Sequence, residues 1–218
     1  MIKIYFQFSA HDMNLTKRRR TLRLKSRSFV HQFLELMYQP LTSGTTNSIN
    51  DITGTTRTLT AGGDNYYVAL LSTAPGRAGA SQAWRQVGHL TTTPSDDMSS
   101  ATNNGIVVGT GTTAITPTDT ALATQIVDGT SSNQLEYFPC GVYGFTASAP
   151  TASFTMERLF RNSSGGTITI NEAGIYSACG NRPFFLTDHY HFCIIRDLVS
   201  PGFQVLNGEY LRIIYTIS

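Results

Sequence analysis

FQVLNGEYLRIIYTIS, residues 203–218, decides the fold. Leu211, Ile213, Tyr215 and Ile217 recur at every second position, with Arg212 between the first two. Successive side chains of a strand point to opposite faces, so this period of two predicts a strand that buries the first set. Asn207-Gly208, just before it, is a tight-turn signal. Read as a type I′ turn, it pairs Phe203–Leu206 with Glu209–Ile214 as a hairpin.

The same pattern extends back along the chain. HFCIIRDLV (191–199) leads through Ser200-Pro201-Gly202 into FQVL, and NSSGG (162–166) reads as the turn of a hairpin entering TITINEAGIYS. Short strand signals also occur at GIVVG (105–109), QLEYF (134–138), CGVYGFT (140–146) and ASFTMERLF (152–160), and YYVALLS (66–72) reads as a buried strand. Regular short strands bounded by turn residues predict a mainly β chain, with an antiparallel β-sandwich or jelly-roll-like domain over residues 66–218. Composition agrees. Apolar residues are 40% and charged residues only 14% of 218; Thr, Ser, Asn and Gly supply the polarity, as in strands joined by many loops. That length suits one substantial core.

Three segments depart from the β pattern. SFVHQFLELMYQP (28–40) is the one predicted helix, with Ser28 as N-cap and Pro40 as stop. Phe29, Val30, Phe33, Leu34 and Met37 fall at helical spacing, and so apolar a stripe has to be covered, by its own domain or by another subunit. Residues 41–65 read as linker or loop with one short strand near Thr56–Thr60. Residues 73–104 form a long loop that holds the only tryptophan, Trp84. A loop of that length is either interfacial or a surface excursion.

Charge is unevenly distributed. Residues 1–40 carry eight cations against Asp12 and Glu35, a net of +6, while the remainder carries eight Arg against twelve acids, a net of −4. Lys17, Arg18, Arg19, Arg20, Arg23, Lys25 and Arg27 therefore read as a basic N-terminal arm (residues 1–27) that makes an electrostatic contact. Its partner would be an acidic protein surface or nucleic acid phosphates; a solvated tail is the bland alternative. The run lacks the interleaved aromatics that stack on bases. MNLTKRRR, opening at Met13, reads as an alternative start, which would leave residues 1–12 outside the natural product.

Catalytic and metal chemistry find little support in the sequence. Cys140, Cys179 and Cys193 are odd in number and scattered, which argues against a disulfide framework and for a reducing cytosol. No apolar run reaches membrane-spanning length, and MIKIYFQFSA is a poor secretory signal. His189, His191 and Cys193 alternate and could share a strand face as zinc or copper ligands. They lack an evident fourth ligand, and packing explains them as well. GTGTT (109–113) lacks the Lys-Ser/Thr of a phosphate loop. Neither a nucleophile elbow nor a catalytic cysteine signature is present, so the expectation is a non-enzymatic protein without cofactor. Asn14-Leu15-Thr16 and Asn162-Ser163-Ser164 match the glycosylation sequon, which matters only in a secretory compartment.

Three segments carry a resemblance. GIVVGTGTTAITPTDTALATQI (105–126), NSSGGTITINEAGIYS (162–177) and CIIRDLVSPGFQVLNGEYLRIIYTIS (193–218) together resemble, in this order, segments of tailed-bacteriophage virion structural proteins of the tail-fibre, collar and decoration kind. The resemblance implies a β fold and a virion location after assembly in the host cytoplasm. The partners it implies are other virion proteins and copies of the chain itself, with Phe29, Phe33, Leu34, Met37 and Trp84 as interface candidates. It transfers no catalytic residue. A tail, neck or fibre-attachment subunit is the leading expectation. The alternatives are a capsid decoration protein and a module that binds host-surface glycans, for which Trp84 and Tyr66-Tyr67 are the only aromatic hints.

Overall fold

A computed structural model describes residues 3–26, 28–38, 46–60, 67–68, 102–148, 151–180 and 189–218. The chain is an antiparallel β-sandwich. Its first sheet has five strands: β1 (Ile4–His11), β2 (Arg18–Ser26), β7 (Glu136–Ser148), β8 (Thr151–Arg161) and β11 (Tyr210–Ile217), in the order β2-β1-β11-β8-β7. The second contains β9 (Ile168–Gly180), with β10 (His189–Val205) on one side. On the other side lie the short β5 (Tyr67–Val68) and β6 (Gly105–Gly109). A separate hairpin is made of β3 (Thr46–Asn50) and β4 (Thr56–Thr60), and the one described helix is α1 (His31–Tyr38).

Period-two patterning builds the core. Phe6, Phe8 and Ala10 of β1 and Leu211, Ile213 and Tyr215 of β11 are buried, and the two strands pair along their length, Phe8 opposite Ile213. Across the sandwich the Phe8 ring lies 5.6 Å from that of Phe203 in β10. The buried Arg158 of β8 ties the sheets together. It donates to the carbonyls of Asn104 and Ile106 at 2.8 and 2.9 Å and to that of Phe138 at 2.7 Å, with its guanidinium over the Tyr137 ring.

The structure corrects four sequence expectations. The basic run is not an arm outside the fold: residues 4–11 and 18–26 are two strands, and β1 is interior to its sheet, so a start at Met13 would remove a core strand. Its alternation was hidden because Leu22 and Leu24, which face the core, are the only apolar residues among the cations of β2. The helix starts later than Ser28. Phe29 instead bridges to Ile195 of β10, and the Val30 amide donates to the Ile194 carbonyl at 3.3 Å. The segment read as a linker holds the β3–β4 hairpin, although Thr56–Thr60 is a strand as expected.

The fourth correction concerns the turns. NSSGG and Asn207-Gly208 do not close hairpins; each passes the chain from one sheet to the other, because β8 and β11 lie in the first sheet and β9 and β10 in the second. The Leu206–Glu209 turn is closed by the Glu209 amide donating to the Leu206 carbonyl at 3.0 Å. Gly208 alone has positive φ, +83°, which marks a type II turn rather than type I′. The two corners are also knitted together. The buried Asn162 donates from its side-chain amide to the Gly166 and Val205 carbonyls, both at 2.8 Å, and its own carbonyl accepts from the Gly208 amide at 2.7 Å. The amide nitrogen of that sequon is thus committed inside the fold.

Candidate functional site

Glu172 sits in β9 amid apolar neighbours and is fully buried. A buried carboxylate must be neutralised and hydrogen-bonded, and the 110–124 loop does both. Glu172 accepts backbone hydrogens from Gly111 at 3.1 Å, Thr124 at 2.7 Å and Ala123 at 3.0 Å. Arg196 of β10, also buried, donates to it from Nε at 3.0 Å, to the Thr113 carbonyl at 3.0 Å, and to Asp119. Asp119 in turn accepts from the Thr116 amide and hydroxyl at 2.9 and 2.7 Å. Burial works to raise the Asp119 pKa, but these hydrogen bonds and the Arg196 charge outweigh it and hold the carboxyl below its ordinary value.

The loop is thus wound around a carboxylate–guanidinium–carboxylate clamp, closed at its base by the Thr110 amide donating to the Thr124 carbonyl at 2.8 Å. Its glycines are required by close approach. A methyl on Gly109 or Gly111 would fall on the Glu172 carboxylate, and one on Gly174 would fall on the Ile195 carbonyl. The Tyr176 hydroxyl accepts the Leu122 amide at 2.8 Å. Burial first, with the nearby Cys193 and Glu172 adding to it, pushes that hydroxyl's pKa far up, so it stays neutral.

Sequence reasoning assigned no role to Glu172, Arg196 or Asp119. The available signal was a charge flanked by apolar residues in INEAGI and IIRDL: such a charge is buried and demands a partner.

The basic run lies on the far side of the molecule's first sheet, and β2 forms that sheet's edge. Period two divides its cations. Arg20 turns inward to pair with the buried Glu209, which also accepts the Leu206 amide at 2.9 Å and has Arg19 at 3.9 Å. Arg23 and Lys25 face outward, opposite Gln7 and Tyr5 of β1, with Arg23 5.0 Å over the Tyr5 ring. Lys17, Arg18 and Arg19 are exposed at the start of the strand. Arg27 lies outside the described residues.

The other predicted site residues are scattered. Phe29 and Phe33 stack on one another at 4.0 Å and pack against the core, whereas Leu34 is 65% exposed. The Met37 side chain and Trp84 lie outside the described residues, as do the side chains of Tyr66 and Tyr67. The His189 side chain is also outside them. The His191 ring lies 3.1 Å from the Asn103 amide nitrogen, and Cys193 is buried, its thiol 3.4 Å from the Ile195 carbonyl with its pKa pushed up by burial. Among the described residues no group of three His, Cys, Asp or Glu side chains could hold a metal ion, and no helix is long and apolar enough to cross a membrane.

Compared with known proteins, the chain matches no protein-family model, no curated protein and no solved structure. What can be defined is therefore a class: a β-sandwich with a buried ionic clamp under one loop and a cationic strand at one sheet edge.

Proposed function

We propose that this chain is a structural component of a bacteriophage virion, in the tail, neck or fibre-attachment region, acting by binding copies of itself and neighbouring virion proteins. One observation carries the reading. The three segments that resemble phage virion proteins lie far apart in sequence, yet their patterned residues meet in one place. Gly109, Gly111 and Asp119 come from the first segment, Glu172, Gly174 and Tyr176 from the second, and Arg196 from the third; together they form the clamp. The Asn-Gly-Glu of the third segment closes the corner turn and engages Arg20. The ordered pattern is therefore a physical constraint rather than low-complexity coincidence, which supports carrying over the class of protein in which it is familiar.

The test is location. In a lysate of the phage that encodes the chain, an antibody to it should find it co-sedimenting with intact particles on a density gradient, and immunogold should mark the tail or neck. Gold over the capsid shell would move the assignment to a decoration protein. Recovery solely in the soluble fraction would overturn it.

A further inference from the structure

The open edge of the five-stranded sheet carries charge that nothing described in the fold answers. Among the described residues no ion pair involves Lys17, Arg18, Arg23 or Lys25, although Arg19 and Arg20 reach Glu209. No described strand pairs with the outer side of β2, so its main-chain donors and acceptors on that side are available. On the inner face Leu22 and Leu24 pack against the core but stay only half-buried, unlike Phe8 and Phe6 opposite them.

We propose that β2 is a docking edge for an extended acidic segment of a neighbouring protein, which joins the sheet as a further strand. Arg23 and Lys25 sit at alternate positions, about 6.6–6.8 Å apart along the strand. A partner strand carrying Asp or Glu at alternate positions sets carboxylates directly across from them, where opposite charges on paired strands attract. Its intervening residues fall on the other face, beside Leu22 and Leu24, and there an apolar side chain completes their burial. The surface therefore selects an alternating acidic–apolar strand: main-chain hydrogen bonds hold it, and the cations and leucines choose it. Phosphates of a nucleic acid would answer the charge but use neither the main-chain edge nor the leucines. Cations also protect an edge from aggregation, and that role alone predicts no binding.

This deepens the assembly reading and rests on it only in taking the partner to be another structural protein. Binding at the edge is tested on the isolated full chain, whatever the particle gradients show. Fluorescence anisotropy would be followed with a short labelled peptide alternating Glu with Val, its Lys–Val counterpart, the Glu–Val peptide N-methylated at every second residue, and a single-stranded oligonucleotide. The Glu–Val peptide should bind, weaken with salt, and bind about tenfold less tightly to R23E/K25E, with neither control peptide binding. The double variant should keep the parent melting temperature, because both side chains are exposed and unpaired. Equal binding of the N-methylated peptide would reduce the site to a salt contact and overturn edge addition. Tighter binding of the oligonucleotide would overturn it in favour of nucleic acid. Self-association abolished by R23E/K25E would give the edge to a second copy, and no binding by any probe leaves it a protective edge; either result also overturns the proposal.

Discussion

Glu172 makes three hydrogen bonds to loop amides and one to a guanidinium, so removing it strands several groups at once. Glu172→Ala leaves Arg196 buried with only Asp119 to balance it and should cost about 3–5 kcal/mol in chemical denaturation. Asp119 supplies a pH dependence whose sign follows from its lowered pKa. Its contribution is complete above the ordinary value of 3.8 and is lost as pH falls through the lower folded value. Amide exchange in the 110–124 loop should therefore accelerate on acidification below 3.8, stay unaffected by this group towards neutrality, and lose that acid response in Asp119→Asn. The sequence shows Glu172 and Arg196 as charges inside apolar runs, so their burial was legible. Their partners were not: Gly111 and Asp119 lie 61 and 77 residues away from the groups they meet, and no local pattern encodes such a distance.

At the scale of the element, β11 tests how far periodicity reaches. Ile213 is fully buried and Ile213→Ala should cost about 2–5 kcal/mol. Arg212, on the outer face in a two-bond pair with Glu157, should cost well under half of that when changed to Ala. Thermal melts of the two variants give the comparison, and the reverse ranking would mean that the faces are exchanged. Gly208→Val forces a β-branched residue to φ +83°, at a cost of about 1–3 kcal/mol. Alternation was readable in β11 because one face is wholly apolar, and it failed in β2, where two leucines sit among cations. Turn chemistry was half readable. Asn162 and Asn207-Gly208 announce a change of direction, but which sheet receives the chain next depends on strands much earlier in sequence. Deleting residues 1–27, which as an arm would leave the core intact, should instead abolish the cooperative melt, since it takes Phe6 and Phe8 with it.

At the scale of the whole molecule, exposed apolar groups suggest where copies meet: Leu34 on α1, and Phe145, 73% exposed on the edge strand β7. Light scattering on concentrated protein should give a mass above the monomer, and Leu34→Glu or Phe145→Glu should return it towards the monomer. A clean monomer that also fails to bind isolated particle components would count against the assembly role. The sheet order has one more consequence, for the timing of folding. Ser9 and Arg212 touch across the β1–β11 pair although 203 residues separate them, so the interior strand β1 has one flank unpartnered until β11 has been synthesised. Closing so distant a contact is entropically slow. On the ribosome, the β1–β2 hairpin emerges early with Phe6 and Phe8 unshielded and stays so while the intervening strands are made. Refolding should accordingly be slow and prone to aggregation, and translation halted before Tyr210 should yield a chain that chaperones retain rather than a smaller folded domain.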